Sequence, residues 1–342
     1  MTAAHGPFLA SDLARFAAAT PGTHLVHGFG GWGYGGVLAC RRLARRGIEA
    51  ISVLSSYTTA RVETRSKAEG LASWYGFGAR LTYRAEHLWT SVLVEPFERR
   101  MYSESRAVLY NYDSVWRLLS QFGPNVKGRK VSYAPESAFL RTDGEPRGPV
   151  PAPAAALNPP GAPLIVCVSR HDPRKGVDVL LEALAKVKAS GVPFRACLLA
   201  PGPLLEANRE RAARLGLNGS AVLTGFVPDP WEYLRHADVF VLPSRAEQSG
   251  SMALLEAMQA GVAPVVSACD GIPEDVTDGV DALLVPPADP EALAAALGRV
   301  LSDASLRRRL AQGARRTFEA RFSADAFTKS LGDAYADLGF RP

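Results

Sequence analysis

Residues 164–191, with the sequence LIVCVSRHDPRKGVDVLLEALAKVKASG, decide the fold. The opening run at 164–169 is short and almost wholly apolar, which is typical of a parallel β-strand covered on both faces. Apolar residues then recur at helical spacing over 177–191, and the run ends on Gly191, a residue that often terminates helices. The polar loop between strand and helix is therefore expected at the carboxyl end of a strand, where open α/β sheets bind their ligands.

Short apolar strands and helices continue to alternate after this segment. Strands are predicted at 194–200, 221–226, 238–243, 263–268 and 282–287, and helices at 205–217, 231–237 and 251–261. A strand–helix repeat of this kind is typical of a doubly wound parallel sheet. The first 144 residues alternate less regularly, with strands predicted at 24–29, 49–58, 106–113 and 130–136 and helices at 35–47, 86–105 and 114–123. The sequence thus predicts two α/β domains.

A proline-rich stretch separates the two patterns. Residues 145–163, EPRGPVPAPAAALNPPGAP, hold little that could be buried, which is typical of an exposed linker. We therefore expect an N-terminal domain over 1–150, a linker over 151–163 and a C-terminal domain over 164–320. The last segment, 321–342, is expected to form a helix that crosses back to the N-terminal domain.

Composition narrows the class of protein. The 342 residues are 47% hydrophobic and 21% charged with a net charge of +5, as in a globular protein with a mild bias toward anionic ligands. No basic run is interleaved with aromatic residues, so we expect no nucleic-acid partner. The four cysteines lack metal-ligand spacing, and we find no signal peptide or membrane-length apolar run, which favours a cytoplasmic protein without a metal. The arginine-rich stretch 307–316 predicts a solvated helical face, with weak contact to the inner face of a membrane as the alternative.

Two loops carry the residue types that bind a diphosphate. Arg170 and Lys175 follow the first strand of the C-terminal domain; Arg can grip a phosphate with two parallel hydrogen bonds and Lys acts as a point charge. In the second loop, 243–251, small residues lead into a helix whose free amides at 249–252 would attract a phosphate. Glu256 lies in that helix among apolar residues, so it is either an exposed helical glutamate or a carboxylate that receives sugar hydroxyls.

The ordered motifs of segment 164–285 resemble the donor domain of the GT-B-fold glycosyltransferases of family 4. The shared pieces are Val168-Ser169-Arg170, Lys175-Gly176, Gly225-Phe226-Val227-Pro228-Asp229, Pro243-Ser244, Leu255-Glu256-Ala257-Met258-Gln259-Ala260-Gly261, Pro264-Val265-Val266, Gly271-Ile272-Pro273-Glu274 and Asp278-Gly279. The resemblance implies an α/β protein of the GT-B type, in which two Rossmann-like domains face a cleft. It also implies a hexosyltransferase that retains the anomeric configuration, uses a nucleotide sugar such as a UDP- or GDP-sugar, and needs no metal or other cofactor.

The resemblance also implies roles for single residues. Arg170 and Lys175 would hold the donor diphosphate, Glu256 would receive the ribose hydroxyls, and the backbone at Phe226 and Val227 would meet the base. The loop expected to grip the donor sugar and phosphate comprises Glu247, Gln248, Ser249, Gly250, Ser251 and Met252.

The first acidic position of the family is replaced in this chain. Counting back from Glu256 by the family's spacing gives Gln248 rather than Glu247. Either Gln248 takes the sugar-hydroxyl role as a neutral amide, or the loop bulges by one residue to offer Glu247. The expected catalytic set is His27, Arg170, Lys175 and Gln248.

The N-terminal domain departs further from the family pattern. His24-Leu25-Val26-His27 resembles a strand that usually lies well inside the acceptor domain, so this domain is expected to be shortened, without its first strands. The next family strand ends in a histidine that faces the reacting sugar, whereas this chain has Ser56 or Tyr57 there. The candidates on the acceptor side are Gly31, Trp32 and Tyr57, with His27 as the candidate at the end of its strand.

Three other interpretations remain open at this point. Residues 28–33, GFGGWG, satisfy the G-x-G-x-x-G dinucleotide fingerprint and would indicate an NAD-dependent oxidoreductase, but Glu49 precedes the second strand and the ribose-binding acid belongs at its end. A donor-binding subunit without transferase activity and a nucleotide-sugar epimerase are the others. For a transferase, the acceptor would be a hydroxyl of a glycan, a lipid or a small molecule.

Overall fold

The computed structural model describes residues 2–20, 22–70, 77–141, 148–247 and 250–340. The chain divides into two compact units: unit 1 is Met1–Ser132 together with Thr328–Pro342, and unit 2 is Tyr133–Phe327. This division differs from the predicted domains, because the chain enters unit 2 before the proline-rich stretch and returns to unit 1 within its last helix.

Unit 1 contains the four strands expected from the sequence, and they form one parallel sheet. The strands are β1 His24–Phe29, β2 Ala50–Ser55, β3 Ala107–Tyr110 and β4 Gly128–Lys130. The helices are α1 Thr2–Ala19, α2 Tyr34–Ala44, α3 Ala60–Gly70, α4 Phe77–Trp89, α5 Glu95–Glu104 and α6 Asp113–Leu119. The sheet order is β1-β2-β3-β4. His24 pairs with Ala50 and Phe29 with Ser55, so the carboxyl ends of β1 and β2 lie at the same edge.

Two helical features of unit 1 differ from the sequence-based expectation. Helix α1 is not predicted, because Gly6 and Pro7 lie inside it and both residue types disfavour a helix interior. It packs against α2, where Ala14 and Ala17 cluster with Leu43. The helix predicted at 86–105 is the continuation of α4, through a π-helical segment over Thr90–Val94, into α5.

Unit 2 contains a second parallel sheet, this one of six strands. The strands are β5 Leu164–Val168, β6 Arg195–Leu199, β7 Ala221–Gly225, β8 Val239–Leu242, β9 Ala263–Ser267 and β10 Leu283–Val285. The helices are α7 Ser137–Leu140, α8 Ala152–Ala155, α9 Val177–Ala189, α10 Leu205–Arg214, α11 Trp231–Leu234, α12 Met252–Gln259, α13 Ile272–Asp275, α14 Pro290–Ser302, α15 Ala304–Arg321 and α16 Ala324–Asp337, which ends in unit 1. Within the part of the chain that the structure describes, we find no helix long and apolar enough to cross a membrane.

The strand order of the unit 2 sheet contains a switch point. The order is β10-β9-β8-β5-β6-β7, so the chain builds outward from β5 on one side and from β8 on the other. The connections after these two neighbouring strands therefore leave in opposite directions and open a crevice at the carboxyl edge of the sheet. All four residues of β8 and all but Val168 of β5 are buried, which explains their unbroken apolar sequences.

The proline-rich stretch is not the exposed linker predicted over 151–163. Within it, α8 is helical, and Ala154, Leu157 and Ala162 are buried. The guanidinium of Arg195 at the start of β6 donates a hydrogen bond to the carbonyl of Ala162 over 3.0 Å. The small apolar residues between the prolines therefore pack on unit 2. Amino-acid composition alone does not predict this packing.

Candidate active site

The loops that follow β5 and β8 meet at the switch point. The backbone amide of Arg245 donates to the carbonyl of Arg174 over 2.7 Å, which ties the second loop to the first. Gly176 makes this approach possible: its φ is +61°, and a Cβ there would stand 2.0 Å from the carbonyl oxygen of Pro243. The two loops therefore form one continuous surface.

Arg245 fixes the relative position of these loops, a role that the sequence motifs do not indicate. Its two Nη atoms donate to the two carboxylate oxygens of Asp178 in α9, each over 2.7 Å, and Nη1 also donates to the carbonyl of Pro173 over 2.9 Å. Although burial opposes it, the hydrogen bonds and charge of Arg245 lower the pKa of Asp178. Both groups therefore stay ionised at neutral pH, and their bidentate geometry holds the loops together.

Lys175 and Glu247 form an ion pair at the meeting point of the loops. The Nζ atom of Lys175 lies 2.5 Å from Oε1 of Glu247, and the hydroxyl of Ser244 donates to the same oxygen over 2.6 Å. The backbone amide of Glu247 donates to Oδ2 of Asp270 over 2.6 Å. Glu247 is buried and Lys175 half-buried, so the structure brings the carboxylate into the same site as the predicted phosphate-binding cation.

The amino end of α12 lies just beyond this pair. The amide of Gly250, at φ +92°, donates to the carbonyl of Glu247 over 3.2 Å, and the hydroxyl of Ser251 caps the helix by accepting from the amide of Leu254 over 3.2 Å. The amides of Met252 and Ala253 precede the first intrahelical bond and donate to no acceptor among the described residues. These free donors and the helix dipole favour an anion here. The predicted residues Gln248 and Ser249 lie outside the described residues.

Arg170 and His171 follow each other in the first loop but have opposite environments. Arg170 is exposed, and its guanidinium has no hydrogen-bond or ion-pair partner within the described ranges. His171 is fully buried and pairs through Nδ1 with the amide nitrogen of Asn208 at 3.0 Å. Burial, with a contribution from the charge of Arg209, lowers the pKa of His171 to about 4, so it is neutral at pH 7. Of these two neighbouring residues, Arg170 is thus the one that offers an accessible positive charge.

Glu256 occupies an environment in which a carboxylate is poorly compensated. Its side chain is half-buried on α12 and finds no hydrogen-bond partner among the residues described. Burial, together with the charges of Asp229 and Glu136, raises the pKa of Glu256 to about 7, and the charge of Arg141 offsets this only in part. A ligand with hydroxyl donors would supply the missing partners.

Phe226 and its neighbours follow β7 on the same edge of the sheet. The Phe226 ring is exposed, and Gly225 before it has a φ of +78° that turns the chain sharply at the strand end. Arg141 is paired with Asp229 at 2.5 Å and lies 6.0 Å over the ring of Trp231. An exposed aromatic ring on this edge suits a flat heterocycle such as a nucleobase.

Comparison with known proteins identifies the segment that carries these loops. Residues 162–303 match the family model described as glycosyl transferases group 1. This segment is therefore similar to the group 1 glycosyltransferases.

Two curated relatives are about one third identical to parts of this chain. A GDP-mannose-dependent alpha-(1-6)-phosphatidylinositol monomannoside mannosyltransferase of Mycolicibacterium smegmatis is 34% identical over 149 residues, which are 41% of this chain and 39% of that protein. The lipopolysaccharide core biosynthesis glycosyltransferase LpsE of Rhizobium meliloti is 33% identical over 180 residues, 53% of this chain and 50% of the relative. The chain thus spans half or less of the length of these relatives.

Solved structures extend the likeness to both units of the chain. A glycosyltransferase from Rickettsia africae superposes with a TM-score of 0.72 at 16% identity, covering 98% of this chain and 82% of the other. HepE of Anabaena in complex with UDP-glucose superposes with a TM-score of 0.66 at 16% identity, covering 96% and 82%. At this level of identity the likeness establishes the fold, which is GT-B-like.

His27 of unit 1 uses both of its ring nitrogens within that unit. Nδ1 lies 2.6 Å from the hydroxyl of Tyr335 in α16, and Nε2 lies 2.8 Å from the hydroxyl of Ser55 in β2. Burial lowers the pKa of His27. The histidine is thus neutral at pH 7 and joins β1, β2 and α16, an arrangement that favours a structural role over the predicted catalytic one.

The remaining acceptor-side candidates are placed only in part. Gly31 and Trp32 lie in the 3-10 turn Gly30–Gly33, and the side chain of Trp32 lies outside those described. Tyr57 is half-buried, and burial raises its pKa despite a hydrogen bond with Ser55. Ser56 is buried and accepts from the hydroxyl of Tyr102 over 2.9 Å, so it does not offer the side chain that the family's histidine would.

Two glycines of the dinucleotide fingerprint, Gly28 and Gly33, allow close packing. A Cβ on Gly28 would lie 2.4 Å from the Cα of Gly33, and one on Gly33 would lie 2.2 Å from the side chain of Leu54. Glu49 lies at the opposite, amino edge of the sheet, where its carbonyl accepts from the amide of His24 and its side chain lines a cavity of about 820 Å³. The glycine turn and the acid required by the NAD interpretation therefore lie at opposite edges of the sheet.

Proposed function

We propose that this protein transfers a glycosyl group from a nucleotide-diphosphate sugar to an acceptor hydroxyl, with retention at the anomeric carbon. The observation that carries the proposal is the Lys175–Glu247 ion pair, 2.5 Å long, at the switch point. The amides of Met252 and Ala253 that follow it donate to no acceptor in the part of the chain that the structure describes. One cation, one carboxylate and a helix amino end there provide complementary contacts for a sugar diphosphate.

The leaving diphosphate is the group that this site would stabilise. Breaking the bond between sugar and phosphate places negative charge on the diphosphate as the transition state forms. Lys175, the exposed Arg170 and the amino end of α12 would oppose that charge as it develops, which is where binding accelerates a reaction. These cations would stabilise the charge of the leaving diphosphate without a divalent metal.

The ion pair still leaves donors and acceptors for the substrate. An ammonium has three N–H donors, so Lys175 can keep its bond to Glu247 and donate to phosphate oxygens. Both described contacts of the Glu247 carboxylate use Oε1, which leaves Oε2 for a sugar hydroxyl. We therefore assign the first acidic position to Glu247, with the loop bulged by one residue, and leave Gln248 as an adjacent amide.

The nucleoside would bind between Glu256 and the turn after β7. Glu256 lacks donors in the described part of the chain, and two adjacent ribose hydroxyls would supply them. The backbone at Phe226 and Val227 would meet the base. UDP-glucose in HepE and the GDP-mannose dependence of the mycobacterial relative point to a UDP- or GDP-sugar as donor.

Retention would follow if the leaving phosphate itself accepts the proton of the acceptor hydroxyl on the same face of the sugar. Both ring nitrogens of His27 are already hydrogen-bonded within unit 1, so we assign the acceptor proton to the phosphate rather than to His27. The acceptor would be a glycan, a lipid or a small molecule.

The four buried, free cysteines fit the reducing cytoplasm, where we place the protein.

Calorimetry and product analysis test this function. We expect the full chain to bind a UDP- or GDP-sugar, to release the nucleoside diphosphate in the presence of an acceptor, and to give a product whose anomeric proton in NMR matches the donor configuration. Binding of NAD(H) without any nucleotide-sugar binding would contradict the proposal. Donor binding without hydrolysis or transfer to any acceptor would instead favour a donor-binding subunit.

A further inference from the structure

A row of large apolar side chains on unit 1 faces solvent. Every exposed side chain between Leu88 and Phe97 is apolar. The row continues the spacing of one helical face, with members four, seven or eight residues apart. We call it the 81–97 face; its large members, 48–66% exposed, are Leu81, Leu88, Trp89, Val92, Leu93 and Phe97.

The helical run that carries this face cannot bury it without exposing its other side. The opposite side of the same helical run is buried in unit 1 through Thr90, Glu98, Met101 and Tyr102. Turning the helix to hide the 81–97 face would expose Met101 and Tyr102 instead. Contiguous apolar surface on a folded protein usually marks a site of contact with a partner or a membrane.

Charges around the 81–97 face are arranged unevenly. The arginine side chains are 52–59% exposed at Arg61, Arg99 and Arg100, whereas their carboxylate partners Glu95 and Glu104 are only 15% and 18% exposed. Glu98 is buried and accepts from the backbone amide of Ala60 over 3.1 Å. These three carboxylates are thus drawn inward, whereas Glu63 and Glu86 are exposed. Exposed arginines outnumber the exposed glutamates, so the rim carries a net positive charge toward solvent; these arginines are Arg61, Arg65, Arg84, Arg99 and Arg100.

The arginine-rich helix predicted as a membrane contact is a weaker candidate. In α15, Arg307 donates to the carbonyls of Val300 and Leu301, and Arg315 donates to the carbonyl of Gln259. We find no large exposed hydrophobic residue along Ala304–Arg321. Helix α15 therefore has exposed charge without apolar surface, whereas the 81–97 face has both.

We propose that the 81–97 face docks the protein on an anionic lipid bilayer. Trp89 and Phe97 would enter the interfacial region with the leucines, and Arg61, Arg99 and Arg100 would contact lipid phosphates. An anionic lipid surface would attract the positive rim. Self-association of the same face would instead bring two positive rims together, and like charges repel. The inference goes beyond the proposed glycosyl transfer and does not rest on it.

Vesicle co-sedimentation of the full chain tests the docking face. We expect binding to phosphatidylcholine vesicles that contain phosphatidylglycerol, weaker binding to phosphatidylcholine alone, and a loss of binding as salt rises. The triple variant Leu88→Ser, Trp89→Ser, Val92→Ser should bind at least about tenfold more weakly, since three apolar side chains leave the bilayer. The matched control Val280→Ser changes an apolar residue on unit 2 that is also 57% exposed, and it should bind like the wild type.

Four further measurements separate the outcomes. Brominated lipids should quench tryptophan fluorescence in the wild type and much less in Trp89→Phe. Circular dichroism and the affinity for nucleotide sugar should be unchanged in the triple variant, which distinguishes lost docking from lost folding or a failed donor site. Equal vesicle binding by wild type and triple variant would overturn the proposal. So would a dimer in analytical ultracentrifugation that the triple variant abolishes while anionic vesicles bind neither protein.

Discussion

At the scale of single residues, the candidate site depends on one cation held by one carboxylate. Lys175 follows β5 and Glu247 follows β8, so the pair exists only because the two strands are neighbours in the sheet. The pair is shielded from solvent, and its charges are therefore screened less than those of a surface pair. Changes at Lys175 should report on ligand binding more than on folding.

Replacing Lys175 with alanine should weaken the binding of a nucleotide-diphosphate sugar by about 1.5–3 kcal/mol, the scale of a charged hydrogen bond. Isothermal titration measures this loss. Lys186→Ala is the matched control, because Lys186 also pairs with a glutamate, Glu291, at 2.5 Å but on the surface. The control should bind the donor like the wild type. Equal donor affinities for Lys175→Ala and wild type would contradict the diphosphate assignment.

Glu256 should make nucleoside binding depend on pH. Its pKa of about 7 lies above the value in an unfolded chain, so the group is largely protonated at pH 6 and ionised at pH 8. The ionised carboxylate is the better acceptor for ribose hydroxyls, so affinity should rise between pH 6 and 8, as titrations across that range would show. Glu256→Gln should flatten the profile. A profile equally steep in that variant would assign the titration to another group.

The same group has the opposite effect on folding. Because the folded protein binds the Glu256 proton more tightly than the unfolded chain, its stabilising contribution is present below pH 4.5 and is lost as pH rises toward 7. Glu256→Gln should therefore raise the free energy of unfolding more at pH 8 than at pH 5. Urea denaturation at both values measures this difference, and a larger gain at pH 5 would contradict the assigned pKa.

At the scale of elements, the approach of the β5 and β8 loops depends on a glycine. Gly176→Ala should destabilise the protein by about 2 kcal/mol or more, since it adds a clash with Pro243 to a left-handed backbone. Gly191→Ala is the control, because Gly191 has a φ of +79° but no atom within 4 Å of a Cβ. The difference between the two variants in chemical denaturation isolates the clash. Equal losses would show that the loops do not need this close approach.

Helices and strands whose apolar residues recur with a clear period were predicted well. Elements whose position depends on tertiary packing were not. The all-apolar run LIVCV predicted a strand covered on both faces, and β5 covers Leu164–Val168. Helix α1 contains Gly6 and Pro7, and its position depends on Ala14 and Ala17 packing against Leu43. The interpretation of 151–163 as a linker failed for the same reason, since burial of Ala154 and Ala162 depends on unit 2 being present.

At the scale of the whole molecule, the last helix completes the core of unit 1. Ala334 and Leu338 cluster with Val53 and Ala107 of the sheet, and Tyr335 bonds to His27. A chain that stops at Phe327 should therefore lose the protection of unit 1 in limited proteolysis while unit 2 stays resistant. Tyr335→Phe removes one hydrogen bond and keeps the packing, so it should cost only about 1 kcal/mol. Equal protease resistance of unit 1 with and without residues 328–342 would contradict this account.

The sequence by itself determined the two parallel sheets, the placement of Arg170 and Lys175 after a strand and of Glu256 in a helix, and the likeness of 162–303 to the group 1 glycosyltransferases. These features are local, because apolar periodicity and loop composition are properties of neighbouring residues. Only the tertiary structure decided that Glu247 pairs with Lys175, that Arg245 joins the loops through Asp178, and that both nitrogens of His27 are occupied. Each of these contacts joins residues far apart in the chain, and which side chain meets which is fixed by strand order and close packing rather than by spacing.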